Sequence, residues 1–138
     1  MKKQELIENL RHKVYARLMP SPIEGIGVFA IRDIPAGVKP FGEYKMEFVN
    51  IPLDEIRNDP LIPSTVKRYV EDMCVVENGH IWLPACGING IHLDFFFNHS
   101  TTPNLAYGED DDFTTTREVK AGEELTVDYG TYNDDLGF

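Results

Sequence analysis

A chain of 138 residues, 42% of them hydrophobic, suits one domain with a buried core. A formal charge of −10 and a pI near 4.7 argue against a basic nucleic-acid-binding face, and no apolar run approaches the roughly 20 residues that span a bilayer. Two cysteines, Cys74 and Cys86, cannot build a disulfide framework and are expected as reduced thiols. Residues 1–13 carry no apolar signal-peptide core. An intracellular, cytoplasmic protein is therefore expected, with nuclear or host-directed placement left open. Neither direct nucleic acid nor a membrane is an expected partner.

Leu6, Ile7 and Leu10 recur at helical spacing and predict a short amphipathic helix over residues 3–12, packed on the outside. Residues 14–18 read as a strand, and Pro20-Ser21-Pro22 forces a turn. In Glu24-Gly25-Ile26-Gly27-Val28-Phe29-Ala30, two glycines one residue apart let the backbone come close to a ligand or to another strand. The plainer reading is a bulge or tight turn. A dinucleotide fingerprint would need a third glycine and a following helix, and both are missing. A strand over residues 28–31, a turn at Asp33-Ile34-Pro35-Ala36-Gly37 and an extended stretch over residues 39–48 follow.

Residues 52–73 change character. Pro52 stands in the first turn of one predicted helix, and Val66, Tyr69, Val70 and Met73 share one face of a second. This reads as a helical insert between two β-rich parts. Val75-Val76 and Ile81-Trp82-Leu83 flank an Asn78-Gly79 hairpin turn, and residues 87–90 form a loop. Short strands are predicted over residues 105–107 and 114–119, around the acidic loop Glu109-Asp110-Asp111-Asp112. The turn Lys120-Ala121-Gly122 leads into a strand over residues 124–127. Many short strands with closely spaced turns define a mostly-β domain with short helices.

At Phe95-Phe96-Phe97-Asn98-His99-Ser100 an aromatic run switches abruptly to polar groups, as expected where a packed interior meets a binding site. Strand alternation would turn Phe96 inward. Cys74, His80, Cys86 and His92 are zinc-ligand types. They lack the close ligand pairs of structural zinc sites, so no metal is expected. His99 and Ser100 are adjacent and would point to opposite faces of an extended chain, and no Gly-x-Ser-x-Gly elbow exists, which argues against a hydrolase. Residues 105–138 hold ten Asp or Glu against Arg117 and Lys120. Such a block is a solvated surface or one that attracts a basic peptide.

The order of these segments resembles one family. Glu24 to Ala30, Asp33 to Gly37 and Gly42-Glu43-Tyr44 resemble the opening of a SET domain. Phe97-Asn98-His99-Ser100-Thr101-Thr102-Pro103-Asn104 resembles its third motif, and Gly122-Glu123-Glu124-Leu125-Thr126-Val127-Asp128-Tyr129-Gly130 its fourth. The resemblance implies a β-clip-like fold of small curved sheets, with a pseudoknot-like crossing of residues 96–104 and 124–130. It divides the chain into an N-terminal helical extension (1–13), a SET domain (14–132, with the helical insert at 52–73) and a short tail (133–138).

It also implies a protein-lysine N-methyltransferase using S-adenosyl-L-methionine. Its cofactor-binding residues would be Glu24, Gly25, Ile26, Gly27, Tyr69, Asn98, His99 and Tyr129. Tyr129 would be catalytic, and Tyr44, Tyr107 and Tyr132 would line the substrate lysine channel. The partner implied is a basic protein or peptide carrying a lysine. Thr101 stands where the family often has Cys, Phe95 where many members have Arg, and Tyr44-Lys45-Met46-Glu47 lacks the family's glycine. The Cys-rich tail and flanking cysteines are absent, which makes this a minimal SET domain. Tyr132, Phe138 or a partner chain, as in a homodimer, would then close the channel. The alternative is a non-catalytic SET-like module that binds a peptide or cofactor.

Overall fold

In the computed structural model, which describes residues 1–42 and 44–131, the leading helix forms where its spacing predicts. Helix α1 (Lys3–His12) places Glu5 in its first turn and Arg11 and His12 in its last, an order that complements the helix dipole. None of its described residues is buried. Arg32 reaches back to α1, donating to the carbonyls of Arg11 and Leu10.

The described residues fall into two compact units. The first takes residues 1–42 and 96–128. Its main sheet has the order β1-β2-β9-β6, from strands β1 (Ala16–Pro20), β2 (Ile26–Ala30), β6 (Asn98–His99) and β9 (Glu124–Val127). β1 and β2 pair antiparallel in the register Leu18↔Val28, and β2 pairs antiparallel with β9 at Val28↔Leu125. β6 joins the other side of β9 in parallel, with Asn98 opposite Thr126 and His99 opposite Val127. Parallel neighbours cannot be joined by a tight hairpin. The connection between them carries a second ladder, β7 (Leu105–Tyr107) against β8 (Phe113–Thr115). Val28, Ile34, Phe97, Leu105, Val119, Leu125 and Val127 are the largest fully buried side chains of this unit.

The second unit takes residues 44–95 and 129–131. Strands β3 (Phe48–Pro52), β4 (Val76–Glu77) and β5 (His80–Pro84) form a sheet in the order β3-β5-β4. Asn78 and Gly79 take φ of 53° and 74°, the left-handed pair that a two-residue hairpin turn requires. Helices α2 (Leu53–Arg57) and α3 (Ser64–Met73) pack onto it. Leu53, Ile56, Val70, Cys74, Val76 and Ile81 make their common core. Each such side chain taken fully out of water contributes about 1.5–3 kcal/mol.

Three local expectations are corrected. Of the extended stretch expected over residues 39–48, residues 40–42 form a turn, with Gly42 N–H on the Lys39 carbonyl, and strand β3 begins at Phe48, just after the Glu47 carbonyl accepts from Ala85 N–H. The strand expected over 114–119 ends at Thr115, and Val119 instead makes an isolated bridge with Ile34. The aromatic run is not extended either: Leu93–Phe96 is a 3-10 turn, so alternation does not govern it. Phe97 is the fully buried member, while Phe95 and Phe96 are half-buried.

Candidate functional site

The polar edge of the first unit is built from the turn between β1 and β2 and from the β6–β9 pair. The two glycines of that turn have different reasons. Gly25 takes φ +47°, which most side chains resist. Ser21 N–H closes the turn onto the Gly25 carbonyl at 2.8 Å. Gly27 is buried with no room for a side chain. A Cβ there would collide with the Glu124 carboxylate and stand 3.0 Å from Asn98 Nδ2. Glu24, Gly25 and Ile26 are exposed.

Asn98 sits where these segments meet. Its Nδ2 donates to Glu124 Oε2 at 2.7 Å and to the Glu24 carbonyl at 3.1 Å, with the Ile26 carbonyl at 3.5 Å. The other Glu124 oxygen, Oε1, accepts from Ser21 Oγ at 2.7 Å. One carboxylate therefore ties the first turn to the Asn-His segment. His99 is mostly buried, with Nδ1 3.8 Å from Asp128 Oδ1. Ser100 N–H donates to the Val127 carbonyl, and Ser100 Oγ accepts from Thr102 N–H at 3.0 Å. That hydroxyl closes a local turn, which argues further against a nucleophile.

Asn104 completes the edge from inside. Its side chain is buried and copies a peptide group: Oδ1 accepts from Thr126 N–H and Nδ2 donates to the Glu124 carbonyl, both at 2.9 Å. Thr115 does similar work nearby. Its Oγ1 donates to the Pro35 carbonyl at 2.7 Å and accepts from Val38 N–H at 2.9 Å.

Tyr107 in the first unit is 40% exposed, and its hydroxyl donates to Asp111 Oδ1 at 2.9 Å. Its ring lies 5.1 Å from that of Phe113, which in turn meets Phe97 edge-on. Tyr44 in the second unit is half-exposed and stacks on the His92 ring at 4.0 Å. Tyr69 lies exposed on α3, and Tyr129 begins a 3-10 turn directly after Asp128. Tyr132 lies outside the described residues.

Charges are paired at the margins. Lys39 bonds Asp110 in the acidic loop, which holds that carboxyl below its usual range and raises the lysine. Cys74 is buried in the core of the second unit, and desolvation pushes its thiol up to about 11. Cys86 is exposed.

Glu124, Asn104 and Ser21 were not singled out by the sequence reading. Glu123 and Glu124 are adjacent and chemically identical, yet Glu123 pairs with exposed Arg117 while Glu124 faces Gly27 and Asn98. Only the position of Gly27, opposite β9, hints which of the two turns inward.

The chain belongs to the SET domain family, whose pattern matches residues 25–130. The three small sheets with short helices are a SET-domain fold, as the motifs implied. Among solved structures, the chain is similar to a candidate histone methyltransferase of Plasmodium falciparum. The two are 17% identical over 84% of this chain and 93% of that one, with a TM-score of 0.50, a likeness of fold. It is also similar to a humanized mutant of the Chaetomium thermophilum Polycomb Repressive Complex 2 bound to an inhibitor. That likeness has 28% identity over 88% of this chain and a TM-score of 0.55, and this chain spans only 15% of its length. No curated protein sequence matches.

Proposed function

We propose that the protein is an S-adenosyl-L-methionine-dependent protein-lysine N-methyltransferase acting on a lysine of a basic protein or peptide. The observation that carries this reading is the family match over residues 25–130, which includes both specific motifs. Two features of the chain fit the cofactor. Asn98 Oδ1 has no partner among the described residues and can accept from an ammonium, and the Glu24–Ile26 backbone is exposed for contact. When bound, the cofactor supplies a methyl group on a sulfonium.

In this assignment Glu24, Gly25, Ile26 and Gly27 meet the cofactor through their backbone. Asn98 and His99 hold its amino-acid and adenine ends, and Tyr69 adds an aromatic face. Methyl transfer to an amine is an in-line displacement, so alignment supplies much of the rate. The Tyr129 hydroxyl orients the transfer and stabilises the positive methyl. Tyr44 and Tyr107 are assigned to the lysine channel, as is Tyr132, which lies outside the described residues. The amine must lose its proton before it attacks, and free lysine has a pKa of about 10.4. An aromatic channel lowers that value by desolvation and attracts the cation through its ring faces. The acidic loop from Glu109 to Asp112 draws the basic substrate toward Tyr107.

Titration calorimetry with S-adenosylmethionine tests the cofactor assignment. Saturable heat and a raised melting temperature are expected. No heat and no thermal shift at millimolar cofactor would overturn it.

A further inference from the structure

The proposed roles leave Glu124 unused, although its carboxylate is the meeting point of the polar edge. All three groups around Asn98 Nδ2 are acceptors: the Glu124 carboxylate and the carbonyls of Glu24 and Ile26. An amide oxygen turned toward them would meet only lone pairs, so this environment settles which way the amide points. Both Nδ2 hydrogens are consumed inside the protein. Oδ1 is left over, with no partner among the described residues.

Glu124 is itself held at both ends. Oε1 accepts the Ser21 hydroxyl, whose oxygen accepts Ile23 N–H at 3.0 Å. Oε2 lies against Gly27, where any side chain would displace it. Charge-assisted bonds of this kind are roughly twice as strong as neutral ones, and Asn98 has one to the carboxylate.

We propose that Glu124 is a positioning residue for the cofactor: through Ser21 and Gly27 it locks the Asn98 amide so that this side chain offers an acceptor, and no donor, to the ligand. The inference rests on the cofactor reading of this same edge. An acceptor fixed in advance selects a ligand carrying a protonated amine and discriminates against an analogue without it. Glu124 acts through Asn98 and does not touch the methyl group.

The test has one arm without ligand and one with it. In the free protein, the Asn98 side-chain amide, assigned by its loss in Asn98→Ala, should exchange with solvent at least tenfold more slowly than that of exposed Asn50. Glu124→Ala should erase that protection, while Glu124→Gln, which keeps a carbonyl acceptor and an amide that can meet Ser21, should retain most of it. In the second arm, wild type should bind S-adenosylhomocysteine at least tenfold more tightly than its deaminated analogue. Glu124→Ala should bring the two within about twofold, and Glu124→Gln should restore most of the preference. A merely structural glutamate would lower both affinities together. If neither nucleoside binds wild type, the cofactor reading fails while the exchange rates still decide the lock. An unprotected Asn98 amide in wild type, or an undiminished amine preference in folded Glu124→Ala, would overturn the proposal.

Discussion

The two units hold themselves together by different means. The second is closed by apolar side chains from α2, α3, β4 and β5, with Ile81 and Cys74 the most deeply buried. The first has an apolar set too, but polar side chains fix its strand ends: Asn104 and Thr115 by bonds to the main chain of β9 and of Val38, and Glu124 by a bond to the Asn98 side chain. Apolar packing is tolerant of exchange at constant volume. A buried polar pin is not, because removing one partner strands the other. A segment that must present an amide and an imidazole in fixed directions gains from the second kind of fastening.

The comparison breaks most visibly at Asn104. Asn104→Ala leaves Thr126 N–H and the Glu124 carbonyl without their partner, and should cost about 3 kcal/mol in denaturant unfolding. A loss under 1 kcal/mol would show that water or a shifted strand replaces the amide. The near-isosteric pair Thr115→Val and Ile81→Val sharpens the contrast. The first strands a carbonyl and an N–H and should cost about 2 kcal/mol, while the second trims one methylene and should cost about 1 kcal/mol. Equal losses would erase the distinction between the units.

The core of the second unit also carries a pH signature. The folded protein keeps the Cys74 proton up to about pH 11, whereas the unfolded chain releases it near 9.0. The unfolded state thus binds fewer protons in that window, so this contribution is whole below pH 9 and is lost as pH climbs toward 11. Relative to wild type, Cys74→Val should show a flatter stability curve there; parallel curves would remove the thiol as the cause. Smallest of all, Asp110→Asn removes an exposed pair with Lys39 and should leave the denaturant midpoint close to that of wild type; a clear drop would show that the pair holds the loop.

Much of this was legible from residues alone. Leu6, Ile7 and Leu10 marked α1, Asn78-Gly79 marked the β4–β5 turn, and the two late motifs announced the β6–β9 pair. These signals are local or carried by rare sequence patterns. What stayed hidden depends on partners distant in sequence. Residues 40–42 sit in a stretch that reads as extended, yet they turn, and a partner strand is met only near its end, at Glu47 and Phe48. Phe96 looked like core by alternation, yet a 3-10 turn rotates the run so that Phe97 takes the buried place. Glu124 and Glu123 differ only in what lies across the sheet, 26 residues from Asn98 in the one case and six from Arg117 in the other.

The proposed role of Tyr129 is lysine methylation with S-adenosylmethionine. It is tested by transfer of a labelled methyl group to a lysine-bearing basic protein, with wild type beside Tyr129→Phe. Wild type should label lysine, and the variant should lose at least about a hundredfold in turnover while its affinity for S-adenosylhomocysteine stays within about threefold. Undiminished transfer by Tyr129→Phe would remove the tyrosine from its role. Cofactor binding without any transfer by wild type would contradict the enzyme and leave a binding module.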